Sequence, residues 1–131
     1  MDSNTKRLIM EFRRLPSAQA ARSLIEQHPI VTTLVAKIIA GRSWDQADQY
    51  RLGDHYLSGM PFATDAPYRV FAVKLSIPTL LKILRKHMPE NGPDIRLAFY
   101  FLGPTLAPLR KSRAARDRID EFFAEYGQAA Q

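Results

Sequence analysis

The residue types able to perform acid-base chemistry gather in one segment of the chain. Asp48, Arg51 and His55 recur at i, i+3 and i+7 on one predicted helix, with Asp45 and Asp54 nearby. A carboxylate, a guanidinium and an imidazole on one face are able to hold and move a proton. The same spacing is typical of an exposed polar helix face, where each local ion pair contributes roughly 0.2–0.5 kcal/mol. We favour the exposed polar face.

Other patterns of catalytic and metal-binding residues are missing from the sequence. His28, His55 and His87 lie in three different segments, whereas a zinc site needs histidine or cysteine ligands at short paired spacings. The chain has no cysteine, no Gly-rich phosphate loop followed by Lys-Ser/Thr, and no Gly-x-Ser-x-Gly elbow. We therefore expect a protein that is not an enzyme and that uses no cofactor or metal.

The strongest chemical signal is positive charge in the second half of the chain. Residues 110–118 read Arg-Lys-Ser-Arg-Ala-Ala-Arg-Asp-Arg, which places five cations beside one anion. Residues 66–118 hold 11 Lys or Arg against 3 Asp or Glu, whereas residues 1–65 hold 8 against 7. A field of that sign attracts an acidic protein, a phosphate backbone or an anionic surface.

Apolar residues have helical spacing through almost the whole chain, and Pro or Gly interrupts the pattern at short intervals. The clearest stripe consists of Val31, Leu34, Val35, Ile38 and Ile39. Gly41 then stands where a left-handed C-cap is expected. Ser17 is a predicted N-cap of an earlier helix, and Ser43 with Gln46 forms a capping box that opens a later one. Gly53 favours a bend in that later helix.

Residues 60–67, Met-Pro-Phe-Ala-Thr-Asp-Ala-Pro, form the longest predicted loop. The following segment has the periodicity of either a strand or a helix. We predict a helix, because no second strand is present to pair with it. Val70, Val73 and Ile77 would then share its buried side, with Pro67 in the first turn.

Residues 77–103, IPTLLKILRKHMPENGPDIRLAFYFLG, are predicted to form two helices joined by a turn. The second opens with Pro93-Asp94-Ile95-Arg96 and ends at Gly103. This segment, 27 of 131 residues, resembles one HEAT-type helical repeat. The resemblance implies that Arg96 pairs with acidic groups of a repeat ladder, while Arg96 and Tyr100 share the exposed stripe of the second helix.

The predicted fold is all-α, either a compact bundle or a short HEAT-like α-solenoid of about seven helices. No second segment carries the HEAT-type signature, and a solenoid normally needs three or more units to cover its ends. We expect a single helical domain over residues 1–131, with possible subassemblies 1–59 and 66–131 joined by the loop at 60–65.

The last predicted helix is amphipathic, and its apolar stripe consists of Ala115, Ile119, Phe122, Phe123 and Tyr126. Its five cations occupy the N-terminal half, where they oppose the helix dipole. Pairing of Arg113 with Asp117, Arg116 with Asp120, and Arg118 with Glu121 would offset part of that cost. A second basic patch, at residues 82–86, either merges with this one or is solvated separately.

The predicted partner-binding surface combines both patches with the exposed stripe of the HEAT-like segment. Its residues are Arg110, Lys111, Arg113, Arg116, Arg118, Lys82, Arg85, Lys86, Arg96 and Tyr100. Two apolar groups are further candidate anchors, because aromatic and loop residues often carry interface energy. These are the loop residues Met60-Pro61-Phe62 and Trp44, for which we favour a core or staple role.

These observations favour a non-catalytic protein-binding module with an acidic protein partner, such as an immunity or inhibitor protein, an adaptor or a complex subunit. Nucleic-acid binding is the alternative, although no aromatic, Asn or Gln residue lies between Arg110 and Arg118 to stack on or read bases. Binding to a membrane surface ranks third. No segment has the apolar run of a signal peptide or a membrane span, so we expect a cytoplasmic protein.

Overall fold

The computed structural model describes residues 2–130, which fold into helices joined by short connections. Across these residues there are eight α-helices, one short 3-10 helix and no β-strand. The α-helices are α1 (Ser3–Arg14), α2 (Ser17–Gln27), α3 (Thr33–Ala40), α4 (Gln46–Leu57), α5 (Ala66–Lys74), α6 (Ile77–His87), α7 (Gly92–Leu106) and α8 (Arg113–Tyr126). The predicted all-α class is confirmed, with eight α-helices where about seven were expected.

The chain divides into two compact units, Met1–Tyr56 and Leu57–Gln131. The first unit holds α1 to α3 and nearly all of α4, and the second holds α5 to α8. The boundary therefore lies in the last turn of α4, upstream of the loop at residues 60–65 that was predicted to join two subassemblies. Of the helices within residues 2–130, none combines the length and the apolar character needed to cross a lipid bilayer.

In the first unit, α1 packs against α3, and polar side chains close the ends of the helices. Asp2 caps α1 by accepting the backbone N–H of Thr5 at 2.7 Å, and this hydrogen bond lowers the pKa of the Asp2 carboxyl. At the other end of α1, Arg42 Nη1 donates to the carbonyls of Phe12 and Leu15 at 2.8 and 2.6 Å. The Phe12 carbonyl also accepts the N–H of Leu15 at 3.3 Å, so Arg42 adds a charged donor to carbonyls at and just after the end of α1.

Two predicted N-caps of the first unit are wrong. The helix α2 begins at Ser17 itself, and the buried Ser17 hydroxyl donates to Asp48 Oδ2 at 2.6 Å and accepts the N–H of Asp45 at 2.9 Å. The helix α4 begins at Gln46, three residues after Ser43. The intervening Trp44 is buried and donates its indole N–H to the carbonyl of Ile39 at 3.0 Å, which confirms its core role.

The two glycines singled out in this unit behave differently from expectation. Gly41 follows α3 in the right-handed region, with φ of −80°, so the predicted left-handed cap is absent there. Glycine suits this position because an added Cβ would lie 2.7 Å from Cγ2 of Ile9 on α1. The predicted bend at Gly53 does not interrupt α4, which is continuous from Gln46 to Leu57.

In the second unit, α5 packs against α7 and α6 against α8. The predicted helices over this region are confirmed, but the buried side of α5 is not the predicted one. Its buried residues are Pro67, Tyr68, Phe71 and Ala72, followed by Leu75 just after the helix, whereas Val73 is 79% exposed. The aromatic stripe at 68, 71, 72 and 75 buries more apolar surface than the valine stripe and therefore faces the core.

The helix α7 begins as predicted but ends later. Asn91 caps it by accepting the N–H of Asp94 at 2.9 Å, with Pro93 in the first turn. Gly103 does not end the helix, because its φ is not positive, and α7 continues through Pro104 to Leu106. A 3-10 helix, Ala107–Leu109, follows directly.

The helix α8 begins later than the basic run. Ser112 caps it by accepting the N–H of Ala115 at 3.1 Å, so Arg110 and Lys111 precede the helix. Of the predicted apolar stripe, Ala115, Ile119 and Phe122 are buried, whereas Phe123 and Tyr126 are half-buried.

Candidate functional site

All ten residues of the predicted partner-binding surface lie in the second unit, where Arg85, Arg96 and Arg110 are engaged by other groups of that unit. Arg85 Nη2 lies 2.8 Å from Glu125 Oε1, and this contact raises the pKa of the Arg85 guanidinium. Arg110 pairs with Asp120. Arg96 Nη1 donates to the backbone carbonyl of Ala130 at 2.7 Å, so the expected acidic partner of Arg96 is replaced by a carbonyl near the end of the chain.

Four other cations make no ion pair or hydrogen bond with any other residue of the described range 2–130. They are Lys111, just before α8, and Arg113, Arg116 and Arg118 within it; we refer to these four as the α8 cations, and all are exposed. The predicted pairs Arg113–Asp117, Arg116–Asp120 and Arg118–Glu121 are therefore wrong for this part of the chain. For Asp120 the reason is the late start of α8, which leaves Arg110 in the preceding connection, where it pairs with Asp120 in place of Arg116.

The two basic patches meet at a groove of about 280 Å³ between α6 and α8. Its charged lining consists of Arg85, Arg118, Glu121 and Glu125, beside the apolar Pro78 and Leu81. Two cations and two anions give this groove a formal charge of zero. The patch at 82–86 and the patch at 110–118 thus touch without forming one continuous positive surface, although Lys82 and Lys86 are themselves exposed on α6.

The remaining α8 cations lie away from that groove. Arg116 is seven residues before Phe123, so both share one flank of α8. The Phe123 ring packs edge-to-face on Phe99 of α7, with ring centroids 4.9 Å apart. Arg116 therefore lies on the α7 side of α8, while Lys111 and Arg113 flank the N-cap of the same helix.

The helix α7 is apolar on both sides. Its buried residues Ile95, Ala98, Leu102 and Leu106 fall within an arc of about 80° at 100° per residue. The opposite arc, about 100° wide, is the outer α7 face, which consists of Pro93, Leu97, Tyr100, Phe101 and Pro104. Tyr100 is 72% exposed, as predicted, and Leu97 is 38% exposed.

A cleft of about 570 Å³ adjoins the outer α7 face, because Pro104 belongs to both. We name it the Val73 cleft. Its lining comes from α5, the end of α7, the 3-10 helix and the start of the basic run, and comprises Asp65, Arg69, Ala72, Val73, Pro104, Thr105, Pro108, Leu109 and Lys111.

Sequence reasoning missed the apolar half of this region. Val73 was assigned to the core, Leu97 was not singled out, and Pro104 was expected to follow the end of a helix. For Val73, the signal was present in the sequence. Tyr68, Phe71, Ala72 and Leu75 form a complete i, i+3, i+4, i+7 stripe, which leaves Val73 on the opposite side of α5.

The acid-base cluster of the first unit serves the fold. Asp48 is only 3% exposed and accepts the Ser17 hydroxyl, so the predicted exposed polar face is wrong at this residue. Arg51 lies on the same helix, with its Nη1 3.7 Å from Asp48 Oδ1. His55 Nε2 lies 3.0 Å from the carbonyl of Pro29. No group of three or more His, Cys, Asp or Glu within residues 2–130 is placed to hold a metal ion.

The loop candidate Met60-Pro61-Phe62 is less exposed than an anchor requires. Met60 is buried, and the half-buried Phe62 ring packs edge-to-face on Tyr68 with centroids 5.3 Å apart. The N–H of Phe62 also donates to the Tyr68 hydroxyl at 3.2 Å. This loop is therefore part of the second unit's packing.

No protein-family model matches this chain, and no curated protein or solved structure is similar enough to count as a match. The resemblance of residues 77–103 to a HEAT-type repeat stays a prediction.

Proposed function

We propose that this protein is a non-catalytic binding module that recognises an acidic protein through its second unit. The contact surface combines the outer α7 face with the neighbouring cations Lys111, Arg113 and Arg116. An immunity or inhibitor protein, an adaptor and a complex subunit all fit this description, and we place the protein in the cytoplasm. Tyr100 belongs to this face, and Arg96 lies at its edge on α7.

The observation that carries the proposal is the apolar character of α7 on two opposite sides. A helix that is apolar all round is normally buried on all sides, because exposed apolar surface is unfavourable in water. Here one side faces the core and the other carries Leu97 and the largely exposed Tyr100. Aromatic residues on such a face are typical anchors of protein interfaces.

The charge around this face specifies the chemistry of the partner. Arg116 lies on the α7 flank of α8, and neither Arg113 nor Lys111 has an anionic partner among residues 2–130. Their position in and before the first turn of α8 opposes the helix dipole, so helix stability does not favour them there. Carboxylates on a partner would neutralise these cations and steer its approach.

The experiment is affinity purification of the tagged chain from its host after nuclease treatment, followed by mass spectrometry. Tyr100→Asp is compared with Ile30→Asp, a matched control because Ile30 is 74% exposed in the first unit. We expect one specific protein to be captured by the wild type and by Ile30→Asp, and lost with Tyr100→Asp. Equal capture by all three chains contradicts the proposed surface.

Nucleic-acid binding is the second candidate, and the four α8 cations within eight residues favour it. If phosphates are the ligand, Arg113→Glu with Arg116→Glu should reduce the slope of log K against log salt by about two units. Binding should weaken equally for all base sequences, because these side chains have no base-reading neighbour. A nuclease-sensitive captured species and a reduced slope together would replace the protein partner by nucleic acid.

A further inference from the structure

We propose that the Val73 cleft is a peptide-binding site that accepts one aliphatic or aromatic side chain and one carboxylate from the same short segment of a partner protein. The apolar side chain packs on Val73, and the carboxylate pairs with Lys111. This inference rests on the proposed function, because it names the chemistry of the partner segment. It concerns residues of α5 and the basic run, which the Tyr100 experiment does not test.

Most of the apolar residues that line the cleft lie outside the buried core. Val73 is 79% exposed on the side of α5 opposite its buried stripe. The rest of its apolar lining is supplied by Ala72, Pro104, Pro108 and Leu109. Prolines hold their backbone rigid, so this wall loses little conformational entropy when a ligand binds.

The polar groups of the cleft leave one charge for a ligand. Asp65 and Arg69 pair with each other one helical turn apart. The Thr105 hydroxyl donates to the carbonyl of Phe101 at 2.7 Å, so its proton is already used. Lys111 makes no ion pair or hydrogen bond within residues 2–130, and the net formal charge of the lining is therefore positive.

This arrangement favours a peptide over a small polar metabolite. Sites for small ligands fix orientation with several convergent polar groups, whereas this cleft offers one free cation beside a mainly apolar wall. The cleft also continues into the outer α7 face through Pro104. A partner segment that crosses Pro104 would contact Leu97 and Tyr100 with one part and Val73 and Lys111 with another.

The test is selection of a phage-displayed library of random 12-residue peptides on the full-length chain. We expect enriched peptides to carry Leu, Ile, Val or Phe within about four positions of Asp or Glu. Synthetic versions should lose at least tenfold in affinity with Val73→Asp, and less with the milder Val73→Ser. The control Ile30→Asp should leave their affinity unchanged.

A charge reversal tests the role of Lys111. Lys111→Glu should weaken the selected acidic peptides at least tenfold, and a peptide with its acid replaced by Lys should recover binding to that variant. Lys6→Glu, an exposed lysine of the first unit, is the matched control. Recovery by the reversed peptide identifies a direct charge contact, which a loss of folding would not produce.

Several results would overturn the inference. These are the absence of any enriched peptide, enrichment of peptides that lack acids, binding that Val73→Ser and Val73→Asp leave unchanged, and a dimer that sedimentation detects in the wild type but not in Val73→Asp. The last result would assign the cleft to a second copy of the chain. Loss of the captured protein with Tyr100→Asp but not with Val73→Asp would refute the cleft and keep the proposed function.

Discussion

The two units of this protein use their polar side chains in different ways. In the first unit, Arg42, Tyr56 and the Ser17–Asp48 pair all bond to groups inside the same unit. In the second unit, the α8 cations reach no partner within residues 2–130, and an apolar helix face is left exposed beside them. These polar side chains of the first unit therefore stabilise its fold, whereas the second unit also exposes cations and an apolar face that stability does not explain.

The largest effect is expected at Arg42, whose guanidinium holds the end of α1. Arg42→Met removes the hydrogen bonds to the carbonyls of Phe12 and Leu15 and the contact of the guanidinium with the Trp44 ring, 4.6 Å from its centroid. We expect the free energy of unfolding to fall by about 2–3 kcal/mol in urea denaturation. Arg14→Met, an exposed arginine of the same helix, should change it by less than about 0.5 kcal/mol. Equal effects of the two variants would contradict a stabilising role for the Arg42 hydrogen bonds in the first unit.

The next effect is expected at Tyr56, which fixes the end of α2. Its hydroxyl donates to the carbonyl of His28 at 2.6 Å and approaches that of Leu24 at 3.3 Å. Tyr56→Phe leaves the His28 carbonyl without this donor, so we expect a loss of about 1–2 kcal/mol in the same denaturation assay. An unchanged midpoint would show that hydrogen bonds from water replace the Tyr56 hydrogen bond without loss of stability.

Tyr56 also predicts a loss of stability at alkaline pH. Burial raises the pKa of its hydroxyl above the ordinary value near 10, so the folded chain keeps this proton where the unfolded chain loses it. The stabilisation is complete below about pH 10 and decreases as the pH rises above that value. Unfolding free energies measured from about pH 8 to 11 should therefore fall less steeply for Tyr56→Phe. A slope identical to that of the wild type would contradict this assignment.

A smaller effect is expected from the ion pairs of the second unit. Arg110→Ala breaks the pair with Asp120 at a largely exposed site, where such pairs contribute up to about 1 kcal/mol. Thermal unfolding in low and high salt should show a small loss that salt reduces further. A loss as large as that of Arg42→Met would mean that the second unit also depends on its polar groups.

The smallest effect on stability is expected at the α8 cations. Arg113→Ser should leave the unfolding free energy within about 0.5 kcal/mol of the wild type, and the change should be towards greater stability because a cation leaves the first turn of α8. Chemical denaturation checks the sign. A clear loss of stability would show that Arg113 contributes to the fold and would weaken its assignment to a partner.

Local spacing was sufficient to predict the helices, because i, i+3, i+4 stripes such as Val35, Ile38 and Ile39 identify a buried face without tertiary information. It was insufficient for the site. The pairs Arg110–Asp120 and Arg85–Glu125 join residues 10 and 40 positions apart, so they depend on where α8 begins and which helix it packs against. The exposure of Val73 could have been predicted, because the complete stripe of α5 from Tyr68 to Leu75 leaves Val73 on the opposite side.

The most direct test of the exposed second-unit surface is hydrogen-deuterium exchange of the full chain with and without the protein captured by affinity purification. We predict slower exchange in the complex for peptides covering residues 93–113, from α7 to the start of α8, and no change for residues 33–57. Protection confined to the first unit, with residues 93–113 exchanging as in the free chain, would contradict it.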